Sequence, residues 1–219
     1  MTTYVIGDSI SSQYAPYLKQ YLAGPMDHAR REGETEALPD PDIPKWGKGG
    51  DSSVVLSSVK ALAASGGGDA VLLLVNCGLH DIKRNPETGK AQVSIDDYEN
   101  NLRSLVSVAR DMRAELVWIR TTPCDEKVHN RPGMSFHRFS EDCAAYNAVA
   151  DRVMGEAGVP SIDLHTFTRN LGPDLYCDHV HFHDPIREKQ GAFIAGWLNC
   201  RKHERPGRPS HAGDACERA

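Results

Sequence analysis

The sequence predicts a three-layer α/β/α fold, in which a parallel sheet of about five strands carries helices on both faces. Three observations support this prediction. Short apolar runs typical of strands alternate with longer amphipathic segments typical of helices. The connections between them are short, which favours right-handed crossovers between parallel strands. The run Val71–Asn76 is almost entirely apolar, as expected for a strand that is buried on both faces.

The first half of the chain predicts, in order, a strand, a helix, a loop, a helix and a strand. Tyr4–Ile6 is strand-like, and the segment after it carries large apolar side chains at helical spacing. Residues 25–45 are rich in proline and acidic residues, so we expect a loop there, with a short strand near Ile43–Trp46. Asp51–Ala64 is helix-like and leads to the buried strand.

The second half of the chain continues this alternation. Ser94 begins a helix, and Asp97 three residues later matches the pattern in which two polar side chains cap a helix start reciprocally. Asp184 and Pro185 open the last helix, as a capping residue and a proline at the first helical position. Between these two helices the sequence predicts a strand, a helix and a strand: Leu116–Ile119, Ser140–Met154 and Pro160–Leu164.

The composition favours one large domain. Of the 219 residues 40% are hydrophobic, which is enough to bury a sizeable core. We place this domain at residues 1–200. Residues 201–219 are polar and rich in proline and glycine, so we expect them to form a disordered tail.

Several classes of partner do not fit the sequence. The formal net charge of −5 argues against nucleic acid, because a phosphate-binding surface usually shows a basic excess. No apolar stretch approaches the ~18–20 residues that a membrane-spanning helix needs. No signal-peptide pattern precedes the first strand, and the six cysteines include no CxxC pair, so we expect a cytoplasmic protein with reduced thiols. The sequence does not decide the oligomeric state.

Polar residues follow or precede the predicted elements at points that the fold brings together. In an open α/β sheet, functional groups collect at the carboxyl ends of the strands. Gly7-Asp8-Ser9 follows the first strand, Gly78-Leu79-His80-Asp81 follows the buried strand, and Asp178-His179-Val180-His181 precedes the last helix. We expect these segments to share one edge of the sheet. Within them, Asp8 and Asp81 are expected to tie the turns together rather than to react.

A serine, a histidine and an aspartate in these segments have the chemistry of an acyl-transfer site. Ser9 is expected at the amino end of a helix, where N–H groups and the helix dipole favour negative charge. A serine there still needs a base within hydrogen-bond reach. His181 can supply it, and Asp178 can hold the imidazole from behind, fix its tautomer and stabilise the imidazolium. Taken alone, Ser9 is also compatible with the simpler role of a helix cap.

A hydrolase of this kind also needs hydrogen-bond donors for the oxyanion. The candidates are the Ser9 N–H, the backbone of Gly50 and a side chain from the Gly78–Asp81 turn. Gly47 and Gly49 are alternatives to Gly50, which we favour because it directly precedes the start of the next predicted helix.

Four blocks in this order resemble the SGNH hydrolases, the GDSL-like esterases and lipases. They are GDSI near the N-terminus, Gly-Asp-Ser before the second helix, Gly-x-x-Asp after the buried strand and Asp-x-x-His before the last helix. The resemblance extends from Thr3 to about Leu198. It implies a flavodoxin-like sheet and ester hydrolysis without a cofactor or metal, with Ser9 as nucleophile, Asp178 as orienting acid and His181 as base.

The third block departs from the usual pattern of the family. Where the family usually has asparagine before the aspartate, this chain has His80 in the sequence GLHD. The resemblance implies an oxyanion hole formed by the N–H groups of Ser9 and Gly50 and by the side chain at position 80. A neutral histidine can donate one N–H, so His80 can take this role. His80 is equally compatible with a hydrogen bond to a neighbouring backbone carbonyl.

Two alternative functions remain open at this point. His179, His181 and His183 alternate, so in an extended strand they would point to one side and could bind the metal of a metal-dependent hydrolase. A non-catalytic binding module on the same fold is the other alternative, with His80 marking a decayed site. We prefer the serine hypothesis, because it also explains the turn at Ser9 and because candidate nucleophile and base are both present.

The substrate class is inferred from the segment that is expected to overhang the site. The SGNH family includes lipases, thioesterases and carbohydrate deacetylases. Residues 124–139 are polar, and no long apolar lid segment is evident. We therefore expect a small-molecule or carbohydrate ester, with a short acyl group such as acetyl on a polar alcohol.

Overall fold

The computed structural model describes residues 2–22, 26–28, 50–66 and 71–204, and within them a five-stranded sheet. The strands are β1 (Thr2–Ile6), β2 (Met26–His28), β3 (Val71–Val75), β4 (Glu115–Ile119) and β5 (Ser161–Ile162). Their order in the sheet is β2-β1-β3-β4-β5, and every neighbouring pair is parallel. The predicted parallel sheet is confirmed, and its order is that of the flavodoxin-like doubly wound folds.

The helices cover both faces of this sheet, which confirms the three-layer prediction. In the described part of the chain they are α1 (Ser9–Tyr21), α2 (Ser52–Ala64), α3 (Ile95–Asp111), α4 (Glu126–His129), α5 (Ser140–Ala157), α6 (Leu164–Arg169) and α7 (Asp184–Glu204). One layer contains α1, α6 and α7, which pack together, and the other contains α2, α3 and α5. None of the helices in these ranges combines the length and the apolar character needed to cross a bilayer.

Strand β3 lies at the centre of the sheet and of the core. All five of its residues are buried. It pairs with β1 in a register that runs from Thr2 opposite Val71 to Ile6 opposite Val75, and the N–H of Asn76 continues the ladder to the Ile6 carbonyl at 3.0 Å. Because the two strands end level with each other, the segments that follow them leave the sheet at the same edge.

Polar side chains cap three of the long helices, and the predicted start at Ser94 is confirmed. Asp8 caps α1, Asp51 caps α2 and Ser94 caps α3, each by accepting hydrogen bonds from backbone N–H groups of the first turn. For example, the Ser94 hydroxyl accepts from the N–H of Asp97 at 3.1 Å. These caps fix where each chain segment turns from strand or loop into helix.

The sheet differs from the prediction at its edge strands. Residues 25–45 were expected to form a loop, but β2 lies within them and pairs with β1 through Met26–His28. The predicted strand near Ile43–Trp46 lies outside the described residues. At the opposite edge the predicted strand Pro160–Leu164 is shorter, because only Ser161–Ile162 pairs with β4 and Leu164 already begins α6.

The C-terminal boundary also differs from the prediction. We expected the tail to start at residue 201, but α7 continues through Arg201–Glu204. Arg201 is partly buried, since its guanidinium lies 3.5 Å from the Glu115 carboxylate and over the ring of Trp197. Residues 205–219 lie outside the described residues, so the disordered tail stays a prediction.

Candidate active site

Ser9 is held at the first position of α1 by the residue before it. The Oδ1 atom of Asp8 accepts hydrogen bonds from the N–H groups of Ile10 at 3.1 Å and Ser11 at 3.3 Å. Asp8 is buried, and this burial raises the pKa of its carboxyl group. The expectation that Asp8 ties the turn together is confirmed, and the cap leaves the Ser9 side chain at the N-terminus of the helix.

Ser9, His181 and Asp178 form one continuous chain of hydrogen bonds. The Nε2 atom of His181 lies 2.8 Å from the Ser9 Oγ, and its Nδ1 atom lies 2.7 Å from Oδ2 of Asp178. The His181 side chain is buried, whereas the Asp178 side chain is 40% exposed. The structure therefore brings together, in the expected order, the three side chains that the sequence selects from two distant segments.

A tight loop explains why a spacing of three residues suits Asp178 and His181. The other carboxylate oxygen of Asp178 accepts hydrogen bonds from the N–H groups of Val180 at 2.8 Å and His181 at 2.7 Å. Partial burial works to raise the pKa of Asp178, but these two backbone bonds and the bond to the His181 ring outweigh it, so the pKa lies below its ordinary value. The loop thus holds an ionised carboxylate against the imidazole.

The turn after β3 depends on a glycine. Gly78 has φ of +144°, which side chains rarely adopt, and an added Cβ would lie 2.4 Å from the Oγ1 of Thr121. That hydroxyl donates to the Cys77 carbonyl at 2.6 Å and so joins the turn to the end of β4. The turn carries His80, which is buried at 3% exposure, to the sheet edge where Ser9 lies.

Asp81 connects this turn to the start of α2. Its Oδ1 atom accepts a hydrogen bond from the N–H of Ser52 at 2.9 Å, and the Ser52 hydroxyl accepts from Asn101 at 2.9 Å. Burial raises the pKa of Asp81 to about 7. The expectation that Asp81 ties turns together is confirmed. Gly50, which precedes the capping Asp51, is buried two residues from this contact.

Two of the three predicted oxyanion elements are therefore joined to each other through Asp81. Gly50 leads into α2 and His80 follows β3, and one hydrogen bond links the segments that carry them. Their roles as oxyanion donors stay a prediction. Gly47 and Gly49, the alternatives to Gly50, lie outside the described residues.

Sequence reasoning missed Arg138, a buried residue behind the GLHD turn. Its side chain is 1% exposed, and its Nε atom donates a hydrogen bond to the carbonyl of Leu79 at 2.7 Å. No motif marks it, because it lies in the polar segment 124–139, which we expected to overhang the site. Only the three-dimensional structure brings it under the turn.

The three alternating histidines make different principal contacts. Both ring nitrogens of His181 contact Ser9 and Asp178. The ring of His179 packs on the ring of His129 at 4.9 Å, and Nε2 of His183 lies 3.5 Å from the Asp174 carboxylate. Within the ranges that the structure describes, no three His, Cys, Asp or Glu side chains are grouped to hold a metal ion. The metal-dependent alternative gains no support from this geometry.

Comparison with known proteins adds independent evidence. No curated protein sequence matches the chain. Among solved structures, a lipase/acylhydrolase from Enterococcus faecalis has a TM-score of 0.65 at 17% identity, and the match covers 91% of this chain and 96% of that chain. The acetyl xylan esterase AlAXEase has a TM-score of 0.62 at 13% identity, with coverages of 90% and 100%. TesA has a TM-score of 0.62 at 16% identity, with coverages of 91% and 99%.

At these identities the structural likeness concerns the fold. The sequence itself is matched by the model of the GDSL-like lipase/acylhydrolase family over residues 5–185. The matched range contains the serine of the first block and the Asp-x-x-His of the last. The chain therefore belongs to the GDSL-like lipase/acylhydrolase family and is a serine ester hydrolase.

Proposed function

We propose that this enzyme hydrolyses carboxylic esters through an acyl-enzyme on Ser9. The observation that carries this proposal is the continuous chain of hydrogen bonds from Ser9 through His181 to Asp178, at 2.8 and 2.7 Å. A nucleophile, a base within reach of it and a group that orients the base are the parts that covalent acyl transfer requires.

In the first half of the reaction, His181 acts as the base. Its Nε2 atom takes the proton of the Ser9 hydroxyl while the oxygen attacks the ester carbonyl, and the imidazolium then gives this proton to the departing alcohol. Asp178 keeps the other proton of the ring on Nδ1, so that Nε2 presents its lone pair to the serine. Its carboxylate also stabilises the positive charge of the imidazolium.

In the second half, water replaces the alcohol. His181 takes a proton from the water as it attacks the acyl group, and returns the proton to Ser9 as the acid leaves. Both tetrahedral intermediates place negative charge on the former carbonyl oxygen. We assign its stabilisation to the N–H groups of Ser9 and Gly50 and to the His80 side chain, with a contribution from the N-terminus of α1.

The substrate that we propose is a short acyl ester of a polar alcohol, such as an acetylated carbohydrate. The polar character of residues 124–139 supports this choice, because a site for long acyl chains needs an apolar wall. One of the structures with this fold is named an acetyl xylan esterase, which shows that the fold can serve a carbohydrate ester.

The first experiment compares p-nitrophenyl acetate hydrolysis by the wild type and Ser9→Ala, each with and without EDTA. We expect activity in the wild type that is indifferent to EDTA and lost in the variant. Mass spectrometry of a quenched reaction should find one acetyl group on the peptide that contains Ser9. Activity that survives the substitution would refute the acyl-enzyme.

Two further comparisons address the finer parts of the proposal. His80→Asn restores the residue usual in the family, so it should retain activity, whereas His80→Ala should lower kcat by about 10²-fold, the usual effect of removing one oxyanion donor. The hydrolysis rates of acetyl, butyryl and octanoyl esters of the same alcohol then show which acyl length the enzyme prefers. Faster hydrolysis of the longer esters would refute the short-acyl assignment.

A further inference from the structure

Arg138 is a buried charge that the catalytic hydrogen-bond chain does not use. Its guanidinium is among the largest side-chain groups enclosed in the described core. Burying an ionised group is costly unless hydrogen bonds and opposite charge compensate it. The described partners of Arg138 are therefore informative about its role in the fold.

One described partner of the guanidinium is the turn that carries His80. The Nε atom of Arg138 donates to the Leu79 carbonyl at 2.7 Å. This carbonyl belongs to the same peptide group as the N–H of His80. A charged donor on the carbonyl fixes the plane of that peptide and strengthens its dipole, so the bond controls the direction in which the chain enters His80.

The charge of Arg138 also acts at longer range on Asp8, the residue before Ser9. Burial raises the pKa of Asp8, the cap of α1, and the positive charge of Arg138 acts in the opposite direction. The guanidinium therefore favours the ionised carboxylate that accepts the two capping hydrogen bonds of α1. Its hold on the GLHD turn rests on the direct bond to the Leu79 carbonyl.

The segment around Arg138 is built to hold this side chain in place. The side-chain amide of Asn130 accepts from the Arg138 N–H and donates to the Arg138 carbonyl, both at 2.9 Å. The guanidinium lies over the ring of Phe136 at 4.9 Å, and its Nη1 atom lies 3.4 Å from Nδ1 of the buried His129. The backbone and the side chain of Arg138 are both fixed before any substrate binds.

We propose that Arg138 is a positioning residue that holds the Gly78–His80 turn in place at the carboxyl edge of the sheet. The effect on catalysis rests on the function proposed above, since it is exerted through the oxyanion donors. The hold on the turn is a property of the fold and can be measured without substrate.

The test compares Arg138→Ala with a matched control, Arg120→Ala. Arg120 also bears a partnered guanidinium, which forms ion pairs with Asp151 at 3.0 Å and with Asp163 at 2.7 Å, but it makes these contacts away from the GLHD turn. We expect Arg138→Ala to lower kcat for p-nitrophenyl acetate by about 10²-fold, as for a reacting group misplaced by about 1 Å. KM should change by less than about threefold, because ground-state binding is not removed. Arg120→Ala should retain the wild-type kcat.

Two readouts separate positioning from a general loss of structure. Guanidinium ion, added below denaturing concentrations, should restore kcat in Arg138→Ala but not in Ser9→Ala, because it can refill the vacated site. Hydrogen exchange should accelerate at the amides of Ile82 and Lys83, which bond to the carbonyls of Gly78 and His80 within this turn. If Arg138→Ala does not fold, Asn130→Ala should give the same pattern with smaller changes.

Each outcome of these experiments tests one part of the proposal. A wild-type kcat per active site, with active sites titrated by a fluorophosphonate, would overturn the role in catalysis even if stability fell. Unchanged exchange at Ile82 and Lys83 would overturn the hold on the turn. A wild-type enzyme that hydrolyses no ester would count against the proposed function, and the exchange measurement would still decide the inference about Arg138.

Discussion

Asp178→Asn is the substitution whose consequence can be worked out most fully from the geometry. The native carboxylate uses its two oxygens differently. One oxygen accepts hydrogen bonds from the N–H groups of Val180 and His181 at 2.8 and 2.7 Å, and the other lies 2.7 Å from Nδ1 of the His181 ring. An asparagine amide has the same shape but only one oxygen. It can therefore accept hydrogen bonds either from the two backbone N–H groups or from Nδ1 of the ring, but not from both.

The two orientations of the amide differ in energy and in function. With its oxygen on the two backbone N–H groups, the NH₂ of the amide faces Nδ1. The ring must then carry its proton on Nε2 and cannot accept the proton of Ser9. Turning the amide over restores the proton on Nδ1 but sets the NH₂ against two backbone donors.

The expected loss of kcat can be worked out from the two backbone hydrogen bonds. Each hydrogen bond to the neutral amide oxygen contributes ~0.5–1.5 kcal/mol, and we take the upper end because turning the amide over also sets its NH₂ against the two backbone donors. The unproductive orientation is then favoured by about 3 kcal/mol, so about one molecule in 10² holds the ring correctly. Loss of the charge that stabilises the imidazolium lowers the rate further. We expect kcat to fall by about 10³–10⁴-fold, as in other Ser-His-Asp sites.

The assay is kcat for p-nitrophenyl acetate at a fixed concentration of folded enzyme. Asp174→Asn is the matched control, because Asp174 precedes the same loop, is 91% exposed and contacts only His183 among the three alternating histidines. It should retain the wild-type rate. A value of kcat for Asp178→Asn within about tenfold of wild type would refute the argument from tautomers.

The same substitution has a consequence for acid stability. Because the pKa of Asp178 is held below its ordinary value of 3.8, the carboxylate stabilises the fold fully above that value. This contribution is lost as the pH falls through the lower pKa of the folded state. Asp178→Asn cannot titrate, so its free energy of unfolding should fall less steeply than that of the wild type on the acid side.

Three further predictions concern the neighbouring turns. Burial raises the pKa of Asp81 to about 7, so the free energy of unfolding of the wild type should fall as the pH rises from the ordinary pKa of 3.8 through about 7. Urea unfolding at about pH 5 and about pH 8 measures this fall, which should be smaller in Asp81→Asn. Gly78→Ala should lower the free energy of unfolding by about 3 kcal/mol, because the residue has a positive φ and the added Cβ would clash with Thr121. Gly89→Ala, with φ of +67° and open space around it, should lower it by only about 1 kcal/mol. Thermal unfolding of both variants measures the difference. His183→Ala and EDTA should each leave esterase activity within about twofold of the wild type; loss of activity with both would favour the metal hypothesis.

The parts of the fold that the sequence predicts well are those with a strong local signal. Strand β3 is a continuous apolar run, and the start of α3 is marked by Ser94 and Asp97. Strand β2 has no such signal, since Met26–His28 is three residues long and pairs with β1 at the edge of the sheet that the structure describes. Helices α4 and α6 are equally hard to predict, because helices of four and six residues are too short to show a hydrophobic period.

The candidate site divides in the same way. Ser9, Asp178 and His181 are predictable, because their chemistry requires those residue types and the fold requires them at element ends. Arg138 is not predictable, because its partner Leu79 contributes a backbone carbonyl, and a carbonyl leaves no trace in the sequence. A buried charge that serves a backbone group is found only once the surrounding chain is placed.

The short distance between Ser9 and His181 is produced by the packing of two whole helices. The two residues are 172 positions apart, each beside the start of a helix, α1 and α7. About two turns into each helix, Gly191 contacts the backbone of α1, where an added Cβ would lie 2.8 Å from the N atom of Leu18. This close contact sets the two helix starts side by side at the carboxyl edge of the sheet.

The order of the strands also creates a space next to Ser9 and His181. After β1 the chain continues into α1 on one face, and after β3 it continues into α3 on the other, so the two segments diverge and open a crevice between them. Ser9 lies on one wall of this crevice and the GLHD turn on the other. The four short blocks are individually weak signals, because each is ordinary turn or cap chemistry. They form the proposed catalytic site because one topology places all of them at its switch point.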